Sequence, residues 1–252
     1  MFLKPSIIGI IPARFASSRF PGKMLAPILG KSLIQRTYEN TKSYKGFKEV
    51  IVLTEDIGIA DHVKSFGGKV LMTSSSCQTG TDRIVEALHK YPQLQEYEYV
   101  VNIQGDEPLL EKRIIRETLE LLFEDPESII STAAIRIKTQ EEALNPSCVK
   151  CVMDLRGNAL YFSRSLIPFK TTENFDFTSY YRHIGLYCFR KDFLLDYKDL
   201  CPTPLQTIES LEQLKILEHG FRIKVATISE PFESCAVDVP DDIARVEKLL
   251  SC

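Results

Sequence analysis

No stretch of this chain approaches the roughly 18 unbroken apolar residues of a membrane-spanning helix. The apolar run from Ser6 to Pro12 is too short for a signal peptide with a cleavage site, so no export signal is expected. An excess of charge is missing as well. The 31 basic and 34 acidic side chains leave a formal net charge of −3, which argues against a surface built to coat nucleic acid or anionic lipid. Linkers, internal repeats and low-complexity segments are absent. Seven cysteines, an odd count without an export signal, read as reduced thiols in a cytosol. What is present is ordinary: 44% hydrophobic and 26% charged residues in 252 suit one α/β domain with a sizeable core. Secreted, fibrous, membrane and disordered classes are excluded.

Short apolar runs alternate with amphipathic patterns in the first half. Ile7 to Ile11, Val50 to Leu53, Val70 to Met72 and Val100 to Ile103 read as strands buried on both faces. Helical patterns lie between and after them at Ser32 to Ser43, Ile57 to Phe66, Thr81 to Tyr91 and Glu111 to Glu124, with Gly67-Gly68 as a helix stop. This rhythm predicts a doubly wound, mostly parallel sheet with helices on both faces. From Ser128 the pattern turns strand-rich: Cys148 to Asp154 and Ala159 to Arg164 flank Arg156-Gly157-Asn158 as a hairpin, and His183 to Phe189 is a further strand. Helices follow at Lys191 to Leu200 and Thr207 to His219, then a strand at Arg222 to Ile228, and Pro240 opens a last helix. The expected organisation is a single domain over residues 1–252, with a β-rich inserted hairpin region at about 145–190 that makes the sheet mixed.

The first strand runs into a loop that carries Arg14, Arg19 and Lys23 among small residues. Ligands of parallel sheets bind beyond the carboxyl ends of the strands, and polyphosphate suits such a loop; a solvated basic loop is the alternative. Neither a Walker loop nor G-x-G-x-x-G is present. The strand Val100 to Ile103 ends in Gln104-Gly105-Asp106, placing a carboxylate suited to Mg²⁺ at the same sheet edge. Asp238, between two valines, offers a second carboxylate, although spacing alone leaves its pairing with Asp106 open. In the segment from Ser74 to Arg83, Thr81 is a candidate cap and Asp82 suits the first turn of a helix. Arg83 is unfavourable at that helix end, so either something anionic holds it there or it is plainly exposed. On the helix Thr207 to His219, Glu209, Glu212 and Gln213 form a polar stripe opposite Ile208, Leu211, Leu214 and Leu217. Cys148 and Cys151 lack the partners of a zinc site, and no serine-nucleophile elbow is found.

The segments Ile11 to Arg14 with Pro21-Gly22-Lys23, Gln78 to Arg83, Asn102 to Pro108, Ala159 to Arg164, Arg182 to Tyr187, Leu211 to Leu214 and Val237-Asp238 occur in one order over nearly the whole chain. In that order they closely resemble the 3-deoxy-manno-octulosonate cytidylyltransferase (CMP-KDO synthetase) family. The resemblance implies the nucleotide-diphospho-sugar transferase fold. It also implies a cytoplasmic, Mg²⁺-dependent enzyme that joins CTP to the acid sugar KDO, giving CMP-KDO and pyrophosphate for lipopolysaccharide assembly in a Gram-negative bacterium. Carried onto this chain, Arg14, Lys23, Asp106 and Asp238 are the catalytic residues, and Asp106 and Asp238 hold the metal. Arg14, Lys23, Ser74, Gln78, Thr79, Gly80, Arg83 and Asp106 bind the nucleotide. Gln104, Arg164, His183, Tyr187, Glu209 and Gln213 line the acid-sugar pocket, and a homodimer pairs through the inserted region. Asp82 and Gln206 stand where the family commonly has glutamate. The alternatives are another acid sugar, amino-substituted KDO or a sialic-type acid, and a nucleotide-binding module without turnover.

Overall fold

Residues 5–16, 19–169, 179–232 and 235–251 are described by the computed structural model. Ser17 and Ser18 of the cationic loop, and residues 170–178 of the expected insertion, lie outside them. In chain order the elements begin with β1 (Ile7–Pro12), β2 (Pro27–Ile28), β3 (Lys31–Ser32), α1 (Leu33–Lys42), β4 (Glu49–Thr54) and α2 (Ile57–Ser65). Next come β5 (Val70–Met72), α3 (Gly80–Lys90), β6 (Tyr99–Asn102), α4 (Lys112–Glu124), β7 (Ile130–Arg136), α5 (Gln140–Leu144) and β8 (Lys150–Met153). The chain continues through β9 (Ala159–Ser163), β10 (Tyr181–Arg190), α6 (Lys191–Asp196), α7 (Pro204–Glu209), α8 (Glu212–Glu218), β11 (Lys224–Ile228) and α9 (Asp242–Leu250). It packs as two compact units: residues 1–112, 190–195 and 233–252 form the first, and 113–189 with 196–232 form the second.

The first unit is built on a parallel sheet. β1 pairs with β6 on one side and β4 on the other, and β4 pairs with β5. Consecutive residues Ile10, Ile11, Val52, Leu53, Val100 and Val101 are completely buried. Neighbours in a strand point to opposite faces, so both faces are covered, as the unbroken apolar runs predict. The helices begin on good caps. Ser32 accepts from Gln35 N at the start of α1, and Asp56 from Ile59 N at the start of α2, which stops before Gly67 (φ +75°). At α3 the cap is Thr79 rather than the expected Thr81. Thr79 and Asp82 form a reciprocal capping box, while Thr81 sits inside the first turn and is buried. The C-terminal segment belongs here too: Val237 and Val246 pack into a cluster with Ile28 and Leu33. The last helix starts at Asp242 rather than Pro240, because the Asp242 carboxylate turns back to accept from Asp238 N and Val239 N.

The second unit holds a mixed sheet. β7 pairs in parallel with β11 and antiparallel with β10, and β10 pairs antiparallel with β8. β8 and β9 form the predicted hairpin, closed by Asp154, whose carboxylate accepts from Arg156 N and Asn158 N. The helix expected over Thr207 to His219 is two helices. Ser210 takes a left-handed conformation (φ +52°), ending α7 before α8 begins. The break rotates one half against the other, so the predicted stripe fails: Ile208 is 78% exposed and Gln213 only 4%. Likewise α6 ends at Asp196 and a short 3-10 turn replaces its expected continuation to Leu200. Among the described residues no helix is long and apolar enough to cross a membrane.

Candidate active site

Three chain segments meet at the carboxyl edge of the parallel sheet in the first unit. The loop after β1 is anchored where Ala13 N donates to Leu53 O of β4. It turns at Gly22 into a short 3-10 helix that opens with Lys23. The loop after β6 carries Asp106 and is held close by Gly105. A Cβ at Gly105 would stand 3.0 Å from Met24 Sδ and 3.1 Å from Pro12 O, so only glycine lets this backbone approach. Thr37 Oγ1 donates to Gly105 O and fixes that peptide. The third segment carries Asp238. It is placed by Val237, which is fully buried and whose N–H donates to Asp106 O at 2.9 Å. Burying such a side chain stabilises by about 1.5–3 kcal/mol, enough to set the register of the aspartate beside it.

The two carboxylates converge on one ammonium. Lys23 Nζ, on a residue only 8% exposed, lies 2.5 Å from Asp106 Oδ2 and 3.6 Å from Asp238 Oδ1 and donates to Val237 O at 3.0 Å. Arg19 reaches Asp238 Oδ1 from the loop at 2.8 Å. These groups border a cavity of about 230 Å³, which Pro12, Ala13, Arg14, Gln78, Thr79, Gly80, Arg83 and Gln104 also line. Four cationic side chains therefore face two aspartates within one cavity. Each of Lys23, Arg19 and Arg83 already touches a carboxylate, while Arg14 stands exposed on the loop.

Arg83 is 4% exposed, and what holds it against the helix end is Glu55, at 2.6 Å from its guanidinium, with Thr73 Oγ1 as a second partner. Ser74 does not line the cavity. Its hydroxyl pairs with Ser76 and its N–H donates to Glu86. Cys77 does line it, but burial, helped by the neighbouring Glu86, pushes its thiol up to about 12, so it stays protonated and is no nucleophile.

The remaining residues expected to bind the sugar belong to the second unit. Arg164 spends its guanidinium on the backbone carbonyls of Glu209, Pro146 and Ser210. The Glu209 carboxylate accepts from Ser163 Oγ and Arg164 N. His183 stacks edge-on to Phe162 and shares a hydrogen bond with Thr132, and burial lowers its imidazole to about 3. Tyr187 is buried, its hydroxyl has no hydrogen-bond partner among the described residues, and burial raises its pKa well above the ordinary phenol range. Gln213 is buried as well.

The donor set of the first unit suits Mg²⁺. This ion takes hard oxygen ligands and is commonly held by one or two carboxylates, with substrate phosphates and water in the other positions. Asp106 and Asp238, both within 3.6 Å of Lys23 Nζ, are a pair of carboxylates of that kind. Among the described residues no group of three or more His, Cys, Asp or Glu is gathered as an all-protein cage.

Comparison with known proteins shows the family of the chain. Residues 8–225 match the family model described as Cytidylyltransferase. The chain belongs to the cytidylyltransferase family. It is 52% identical over 245 residues to the 3-deoxy-manno-octulosonate cytidylyltransferase of Protochlamydia amoebophila, covering 97% of this chain and 94% of that one. It is 48% identical to the mitochondrial 3-deoxy-manno-octulosonate cytidylyltransferase of Arabidopsis thaliana, covering 97% and 83%. Its fold matches a structure of CMP:2-keto-3-deoxy-manno-octonic acid synthetase complexed with CTP at a TM-score of 0.87 and 37% identity, over 98% of both chains.

Within this cytidylyltransferase, three participants escape a reading of the sequence alone. Arg19 was legible as one of three loop cations, but its contact with Asp238, 219 residues away, was not. Glu55 carries no motif; only the end of β4 brings it to Arg83. Glu86, nearly two turns into α3, fastens Ser74 and Cys77 from behind. The capping box was the one recoverable signal, since Thr79 and Asp82 have its three-residue spacing.

Proposed function

We propose that this protein is a 3-deoxy-manno-octulosonate cytidylyltransferase that uses Mg²⁺. The anomeric hydroxyl of KDO attacks the α-phosphorus of CTP in line; one P–O bond forms as the bond to pyrophosphate breaks, giving CMP-KDO. The observation that carries the reading is the meeting of Asp106 and Asp238 at Lys23 in a cavity lined by the cationic loop.

In the free protein the site is neutralised from within. Lys23 and Arg19 occupy the carboxylates that the reading assigns to the metal. Asp106 and Asp238 would hold the metal, and Lys23, Arg19 and Arg14 would then be available to the phosphates of the nucleotide. When bound, Mg²⁺ adds positive charge at the reacting phosphate oxygens and lowers the pKa of a ligated hydroxyl. The chain itself contributes positioning and charge neutralisation, which is most of what phosphoryl-type transfers require. Gly80, Thr79 and Gln78 border the nucleoside, and Gln104 faces the sugar from the same cavity. In the second unit Arg164 and Glu209 brace the polypeptide. The exposed apolar side chains Leu155, Leu160 and Phe169 support pairing of two copies through the hairpin region. In this reading the reaction takes place in the cytoplasm and supplies lipopolysaccharide assembly.

The test is pyrophosphate release from CTP with a panel of acid sugars, with and without Mg²⁺. KDO is expected to give release that chelation of the metal abolishes. Turnover of amino-substituted KDO or a sialic-type acid with KDO silent would overturn the substrate, and undiminished release after chelation would overturn the metal.

A further inference from the structure

We infer that Glu55 is a positioning residue that keeps Arg83 from taking hold of the phosphates; the inference rests on the function proposed above. Arg83 lines the cavity from the first turn of α3, where the helix dipole adds to its positive charge. A guanidinium there, nearly buried and unpaired, would attract a polyanion as strongly as any loop cation. Instead Glu55 Oε2 stands 2.6 Å from Arg83 Nη2, and Arg83 Nη1 is turned back to Thr73 Oγ1 and Ser74 O. The other oxygen of the same carboxylate accepts from Phe15 N of the cationic loop, at 3.4 Å. One side chain just after β4 thus contacts both Arg83 of the cavity lining and the backbone of the cationic loop.

The contrast with the aspartates gives Glu55 its role. Asp106 and Asp238 are assigned to the metal, so with the metal held there their cations would be free to turn to the phosphates. Glu55 is not assigned to the metal, so its hold on Arg83 would persist. The phosphates are left to Arg14, Arg19 and Lys23, which sit on one loop, and the departing pyrophosphate meets one cation fewer. Glu55 therefore favours turnover over retention of the triphosphate and its product.

The experiment compares Glu55→Gln, a neutral variant of the same shape, with the native protein. Binding of inorganic pyrophosphate is read by calorimetry, which needs no turnover, and kinetics with CTP and KDO are read separately. Removing one unit of charge beside the cavity is expected to tighten pyrophosphate binding about tenfold at low ionic strength. KM for CTP is expected to fall, and kcat to fall with it as product is retained. A residue of merely structural importance would raise KM. Adding Arg83→Gln to the variant is expected to return pyrophosphate affinity to the native level or below, and Glu55→Asp, which keeps the charge, to preserve it. Unchanged or weaker pyrophosphate binding in a folded Glu55→Gln protein overturns the inference. Should that variant fail to fold, the double variant decides: pyrophosphate binding tighter than native would overturn it. A native protein that binds pyrophosphate but turns over no acid sugar would instead count against the proposed function.

Discussion

Two groups of charged side chains, one in each unit, are partnered in opposite ways. In the first, the charged side chains of the cavity are paired chiefly with one another: Lys23 with Asp106, Arg19 with Asp238, Arg83 with Glu55. In the second, Arg164 and Glu209 are spent on backbone carbonyls, a backbone N–H and a serine hydroxyl. A pair of side chains can exchange partners when a ligand of either sign arrives. A side chain bound to backbone has no equivalent exchange, because the peptide groups it leaves would lose their own partners. The first arrangement suits chemistry on a highly charged substrate, and the second suits a fixed frame.

The largest expected effect breaks the first arrangement. Asp106→Asn keeps the shape of the side chain and removes the charge that the reading gives to Mg²⁺. We expect kcat to fall by about 10³-fold or more, the scale of losing a main electrostatic contact to the transition state. The melting temperature should hold, because Lys23 keeps Val237 O and Asp238 as partners. Steady-state rates over a Mg²⁺ series with thermal unfolding in parallel check this. Native turnover at limiting Mg²⁺ would remove Asp106 from the metal.

How much of this could be read beforehand follows from what each feature depends on. β1, β4 and β6 were legible because strands buried on both faces need unbroken apolar runs, a purely local signal. The cavity residues of the cationic loop and Asp106 were legible because each lies directly after such a strand. The pairing of Asp106 with Asp238 was not, since it depends on Val237 packing against Ile28 and Leu33, far away in the chain. The break at Ser210 was hidden for a different reason. Serine carries no preference for the left-handed region, so the conformation there is imposed by the packing of α8, whose Leu214 and Ile216 are buried. Gln213 entered the interior by the same rotation, against its polarity.

The second expected effect concerns the frame and is read in stability. His183 has its imidazole lowered to about 3 by burial, so the folded protein keeps it neutral while the unfolded chain protonates it near 6.5. A lowered folded-state pKa means that stability is complete above the unfolded value and is lost as pH falls between the two. The loss is at most about 1.4 kcal/mol per pH unit in that window. In His183→Phe this share of the acid sensitivity disappears. Thr132 keeps its bond to Leu186 O, and the new ring meets Phe162 and Tyr187. Urea unfolding of both proteins at pH 7.5 and 5.0 measures the difference, in which the carboxylates common to both cancel. A difference independent of pH would show that the imidazole is not held neutral, and the contrast between frame and cavity would lose its strongest support.

The smallest expected effect tests the boundary of the cavity itself. Ser74 belongs to the segment expected to bind the nucleotide, yet its hydroxyl faces Ser76 and it is exposed outside the cavity lining. Glu86 holds this residue through the backbone N–H, which a change of side chain leaves in place. Ser74→Ala therefore removes one exposed hydroxyl pair and nothing that faces the nucleotide. KM for CTP should shift by less than about twofold, the range of a surface substitution without a named role. Gln78, four residues nearer the start of α3 and part of the lining, supplies the contrast: Gln78→Ala is the change in this segment that should raise KM for CTP. If Ser74→Ala raised it more than Gln78→Ala, the segment from Ser74 to Gln78 would have to turn inward on binding, and the cavity of the free protein would not be the outline of the bound one.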